Sequence, residues 1–163
     1  MSPFDLPPGE GRAPLWQLCP ELGPATEAFS ATVQADTRLP VRVAEAARMR
    51  VAELNGCQVC RDTRVDDLAA HGMDEAFYTG VGDPDLRDRY APEEALAIEF
   101  AERFVAGTQA FDEPFWSRMR ATFEPAEIVA LVVSTSKWLA LGRINAVLDL
   151  AVACPVRLSP SAR

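Results

Sequence analysis

Residues 39–72 read LPVRVAEAARMRVAELNGCQVCRDTRVDDLAAHG. Pro40 suits a first helical position, because the N–H it lacks has no partner there anyway. Behind it Val43, Ala44, Ala47, Val51, Ala52 and Leu54 recur at spacings of three and four, the period of a helix with a buried face. That helix is expected to run to about Asn55, with Gly56 as its C-terminal cap. A further helix is expected from about Gln58 to Ala70, stopping at Gly72. Cys57 and Cys60 stand at the junction as a C-x-x-C pair.

The flanking sequence continues the helical pattern. Residues 25–36, with Phe29 and Val33, read as a helix before this stretch. After it, Asp74 caps a short helix through Tyr78, and residues 80–90 form a polar connection turning at Gly82-Asp83-Pro84. Pro92 opens an amphipathic helix to about Ala106. Asp112 is an N-cap candidate, with Pro114 just inside the next helix. The most apolar segment, 126–153, is expected to form one long helix or two, with Gly142 marking a bend or break. Residues 128–133 would suit a strand by composition, but their flanks are helical. Nowhere does period-two alternation persist, so the fold class is all-α, with six to eight helices.

Residues 1–24 hold six of the thirteen prolines. Interleaved Phe4, Leu6, Leu15, Trp16 and Leu18 predict an extended arm lying on an apolar surface, followed by a single domain over 25–163. The chain has 163 residues, enough for one core. A formal net charge of -8 disfavours non-specific binding to nucleic acid or anionic membranes. No apolar run is long enough to span a bilayer. The stretch MSPFDLPPGEGR has neither the basic nor the apolar region of a signal peptide, so a cytoplasmic location is expected.

Of four cysteines, Cys19 and Cys154 stand alone and are expected to be inert, buried or half-buried thiols. Cys57 and Cys60 admit several readings. They could be ordinary thiols, half of a zinc site, a structural disulfide or a redox pair. Zinc takes four ligands and the sequence offers no second pair; so small a loop removes little unfolded-state entropy. A thiolate attacks a peroxide or disulfide, and the resulting sulfenic acid condenses with a second thiol. The helix-terminus position predicts Cys57 as the more exposed thiol of lower pKa and Cys60 as the more sheltered; which one attacks is left open. Glu45, twelve positions before Cys57, is either a surface carboxylate paired with Arg48 or Arg42, or a general base for the thiol.

Glu45, Cys57 and Cys60 together resemble, in identity and spacing, the AhpD-like alkylhydroperoxidase group of the carboxymuconolactone decarboxylase family. The segments FEPAEIVALVV and LGRINAVLDL are similar to that family's second helical half, and the resemblance spans most of residues 25–150. It implies an AhpD-like all-helical subunit that assembles into homo-oligomers, trimers or hexamers and sometimes dimers. It also implies a thiol-dependent hydroperoxide reductase or disulfide oxidoreductase, served by a thiol reductant, with no metal or organic cofactor. Cys60 would attack the hydroperoxide, Cys57 would resolve the sulfenic acid, and Glu45 would belong to the proton relay.

The chain departs from the pattern at Arg64, which replaces the relay histidine and cannot exchange protons at neutral pH. It is expected either to stabilise a Cys60 thiolate electrostatically or to pair with Asp62 or Asp67. His71, the only histidine, would lie about 16 Å beyond Cys60 on a straight helix, and Thr63 is a weak hydroxyl candidate for the relay. Two other functions stay open: a redox-sensing or binding subunit on the same scaffold, and a lactone decarboxylase-type enzyme.

Overall fold

The computed structural model describes residues 4–150 and the backbone of Arg157–Leu158. The architecture is all-α. Eight α-helices occur among the described residues: α1 Ala13–Leu18, α2 Leu22–Gln34, α3 Val41–Leu54, α4 Gln58–Asp62, α5 Glu75–Thr79, α6 Pro92–Ala106, α7 Glu113–Thr122 and α8 Pro125–Val147. Short 3-10 turns lie at Leu68–His71, Pro84–Arg89 and Thr108–Ala110. Among the described residues, strands are limited to one two-residue parallel pairing of β1 (Arg64–Val65) with β2 (Arg157–Leu158). Among the described residues, no helix is long and apolar enough to cross a membrane.

Several boundaries follow the sequence reading. Asp74 and Asp112 accept hydrogen bonds from the backbone N–H of Phe77 and Phe115, as N-caps do. Pro92 opens α6, which ends at Ala106.

Four expectations are corrected. The arm is not wholly extended, since α1 lies inside it and α2 begins at Leu22. Pro14 and Pro24 both fall in first turns, where no intrahelical partner is lost. The helix expected over 58–70 ends at Asp62; Thr63 is extended, and the chain turns into β1. Asp67, left-handed at φ 51°, then caps the 3-10 turn ending at His71. In turn, α8 passes Gly142 without a break. Cys19, expected to be buried or half-buried, is exposed just after α1, and the end of the expected 126–153 segment and Cys154 lie outside the described residues.

α3 is the central element, packing most extensively against α6 and next against α8. Its face of Val43, Ala47 and Val51 meets Leu96 and Phe100 of α6, Phe115 and Met119 of α7, and Leu131 of α8. A second face, Ala46 and Met49, packs with Val65, Phe77, Tyr78 and Ile98. A third holds Glu45, Arg48 and Ala52, all buried. A helix enclosed on three sides takes its stability from tertiary packing rather than from intrinsic propensity.

Phe100 is fully buried, with the Phe104, Phe111 and Phe115 ring centroids 5.7, 5.5 and 6.4 Å away. Phe100→Ala is expected to destabilise the fold by about 3–5 kcal/mol. Denaturant unfolding, read as a lower midpoint at constant slope, checks this.

Candidate active site

The cysteine pair is set by the way α3 ends. Gly56 adopts φ 64°, and the N–H groups of Gly56 and Cys57 donate to the carbonyls of Glu53 and Ala52 at 3.0 and 3.1 Å. This is a Schellman motif, which turns the chain sharply after the last helical residue. Cys57 is thereby carried beneath the end of α3 and is only 1 % exposed. Its sulfur accepts a hydrogen bond from the Cys60 N–H at 3.3 Å, capping α4. Cys57 and Cys60 are joined as a disulfide, with Cα atoms 5.3 Å apart.

The exposure expected from sequence is reversed. Cys57 is buried, whereas Cys60 is half-buried and lines a cavity of about 350 Å³. The expectation rested on the helix-terminus position, which Cys57 does occupy, but the turn at Gly56 carries its side chain inward.

Glu45 is not a surface carboxylate. It is buried on α3 and accepts two hydrogen bonds from Arg48, at 2.7 and 2.9 Å, and one from the Tyr78 hydroxyl at 2.8 Å. Arg48 also donates to the carbonyls of Cys60 and Thr63, at 2.7 and 2.9 Å. One buried guanidinium therefore ties α3 to the end of α4. Burial works against its charge, but the Glu45 carboxylate outweighs burial and holds Arg48 above its ordinary pKa. Burial first, and then the Glu45 charge, push the Tyr78 hydroxyl upward. The hydrogen bonds of Glu45 lead to Cys60 through Arg48.

Arg64 is directed elsewhere. Its guanidinium pairs with Glu75 at 2.8 Å, donates to the carbonyls of Arg61 and Thr63, and lies 4.3 Å from the Tyr78 ring centroid. The expected partners are engaged locally: Asp62 accepts from Gln58 at 2.9 Å, and Asp67 from the Ala70 N–H at 3.2 Å. The Thr63 hydroxyl donates to the Val59 carbonyl at 2.8 Å. The straight-helix placement of His71 fails because the chain turns at Thr63. His71 instead lines a second cavity, of about 360 Å³, together with Glu45. Gln34, Arg48 and Trp138 line both cavities.

The remaining surroundings of Cys60 come from α8 and the N-terminal helices. Lys137, Leu141 and Asn145 recur every four residues and line the cavity together. The Asn145 amide nitrogen is 4.0 Å from the Cys60 sulfur, while its buried carbonyl oxygen has no partner. Gly142 is needed for close approach: a Cβ there would lie 2.9 Å from the Asn55 amide nitrogen and 3.5 Å from the Cys60 sulfur. Asn55 itself donates to the Leu139 carbonyl at 3.1 Å and accepts from Arg143 at 3.1 Å. On the other side, Glu27 of α2 accepts from Arg12 and from the Trp16 indole, each at 3.1 Å.

Lys137 is the residue the sequence reading passed over. Burial, and next the positive charges of Arg12 and Arg48, bring its ammonium down to about 8. It is the only lysine in the chain, and that compositional signal could have singled it out. Among the described residues, no three His, Cys, Asp or Glu side chains converge in a way that could hold a metal ion.

The sequence matches no protein-family model and no curated protein. The fold is similar to the crystal structure of a protein of unknown function from Agrobacterium tumefaciens, described as a candidate AhpD antioxidant-defence protein. The match has a TM-score of 0.75 and 22% identity over 89% of this chain and 99% of that one. The AhpD-like fold is thus shared, in agreement with the resemblance carried by Glu45, Cys57 and Cys60.

Glu45→Ala would strand the buried Arg48 charge and is expected to cost about 3–5 kcal/mol. Replacing both residues together, Glu45→Leu with Arg48→Met, is expected to cost less than Glu45→Ala alone. Unfolding of the oxidised proteins compares the two.

Proposed function

We propose that this chain is a thiol-dependent hydroperoxide reductase whose redox centre is Cys57 and Cys60. The carrying observation is the asymmetry of the pair: one disulfide, with Cys57 buried and Cys60 facing a cavity. The AhpD-like fold and the candidate antioxidant role attached to the Agrobacterium protein support the same reading.

In the reduced state the Cys60 thiolate attacks the terminal oxygen of a hydroperoxide. The O–O bond breaks, the sulfur becomes a sulfenic acid, and the organic part leaves as an alcohol after taking up a proton. The Cys57 thiol then displaces water from the sulfenic acid and re-forms the disulfide. An external dithiol restores both thiols by exchange. Cys60 is the attacking residue because the substrate cavity reaches it; Cys57 resolves because it lies beneath. Glu45 serves as a positioning residue through Arg48 rather than as the group that receives the thiol proton. Assembly of like subunits belongs to the same proposal, supported by exposed Leu22, Phe29, Val129 and Val133.

A redox-sensing subunit is the second reading, favoured by the engagement of Arg64 and Glu45 with partners other than the thiols. It predicts negligible hydroperoxide consumption and a reversible, oxidation-dependent change in assembly.

Cys60→Ser is expected to abolish thiol-dependent hydroperoxide turnover, and full turnover in that variant overturns the peroxidase reading. Mild peroxide should remove two hydrogens from the reduced wild-type mass and protect Cys57 and Cys60 from alkylation. An unchanged mass removes the redox pair altogether.

A further inference from the structure

Fifteen of the sixteen Lys and Arg side chains are arginines, which cannot act as proton acceptors at neutral pH. Lys137, the one lysine among them, is able to do so and lines the same cavity as Cys60. We propose that Lys137 is the proton acceptor of the Cys60 thiol and that it returns the proton to the alkoxide leaving group of an organic hydroperoxide. This inference rests on the peroxidase reading above and names the residue that replaces the missing relay histidine.

The charge balance of the cavity supports the assignment. Arg12 is paired with Glu27 and Arg48 with Glu45. Among the described residues, Lys137 makes no such pair, although Arg12, Arg48, Glu27 and Glu45 all act on it electrostatically. In the disulfide state Cys60 offers no negative charge, so a protonated Lys137 has no counter-ion of its own. Burial, and next the Arg12 and Arg48 charges, hold its pKa down in this oxidised structure. Reduction creates a thiol lining the same cavity, and its thiolate would supply a counter-ion there.

The proton balance closes. The Cys60 S–H bond breaks and an N–H bond forms on the Lys137 amine, leaving thiolate and ammonium. The thiolate attacks the terminal oxygen, which becomes the sulfenic acid, and the O–O bond breaks. The alkoxide takes the proton from Lys137 and departs as an alcohol, so the amine is regenerated. Asn145 offers its unpartnered carbonyl oxygen to the O–H of the incoming hydroperoxide, with its amide nitrogen on the sulfur side. An ordinary lysine holds its proton too tightly at neutral pH for the first step, and burial lowers that obstacle here.

The single lysine makes the test direct. Full-length protein carrying 13C-lysine gives one side-chain Cε signal, whose pH titration reports Lys137 in each redox state. The oxidised protein is expected to titrate near 8. Reduction should raise that midpoint by about one unit or more, and Cys60→Ser, treated with the same reductant, should lack the rise. Equal midpoints in oxidised and reduced wild-type protein overturn the proposal.

Turnover of cumene hydroperoxide supplies the second readout. Lys137→Met is expected to lower it by about 100-fold or more. Lys137→Arg should retain easy alkylation of Cys60 near neutral pH yet turn over no faster than Lys137→Met. Full turnover in Lys137→Arg also overturns the proposal. The two readings fail distinguishably: a redox-linked Lys137 shift without turnover overturns the peroxidase reading and the proton return with it, leaving Lys137 only as the proton acceptor of the Cys60 thiol. Turnover that depends on Cys60 but not on Lys137 removes the lysine's role alone.

Discussion

The buried Arg48 guanidinium is the joint on which the candidate site is assembled. It meets the Glu45 carboxylate on its own helix and two carbonyls at the end of α4. A charge this deep is tolerated because several hydrogen bonds and a carboxylate satisfy it together. The arrangement gives the short α4 a fixed distance from α3, and with it a fixed position for Cys60. Tyr78 adds a third anchor, linking Glu45 to α5. Packing around α3 thus builds the core on two faces and the site on the third.

Much of the fold was readable from the chain because its signals are local. The three-and-four spacing of α3 and the proline and aspartate starts of α5, α6 and α7 each act over a turn or two. Gly56 was legible for the same reason. The error over 58–70 came from polar residues compatible with either a helix or a turn. Helical periodicity is weak there, and the break is decided by tertiary partners: Arg48 on the Thr63 carbonyl and Glu75 on Arg64. Proline misled in the opposite direction at the N-terminus, where Pro14 and Pro24 occupy the few helical positions that accept it.

The candidate site was legible only in part. Glu45 and the two cysteines were found by spacing, but spacing carries no information on burial, and the exposure of the thiols came out reversed. The role of Gly142 lies in an approach between α8 and the end of α3 that sequence separation conceals. Lys137 and Asn145 lie 77 and 85 positions beyond Cys60, so no local pattern joins them to it. The clue to Lys137 was compositional: a chain that uses arginine everywhere else keeps one lysine.

The brevity of α4 has a consequence for the order of the chain. Five residues fall far below the length, about 12–15, at which an isolated helix persists in water. Its helicity is maintained from outside, by Arg48 at one end and by the Cys57 sulfur at the other. Cleaving the disulfide removes one of those supports, which makes this turn the segment where oxidation state and backbone hydrogen exchange are coupled. The centre of α3, packed on three sides, stays outside that coupling. Any loosening on reduction would then be local, confined to the short helix that carries Cys60.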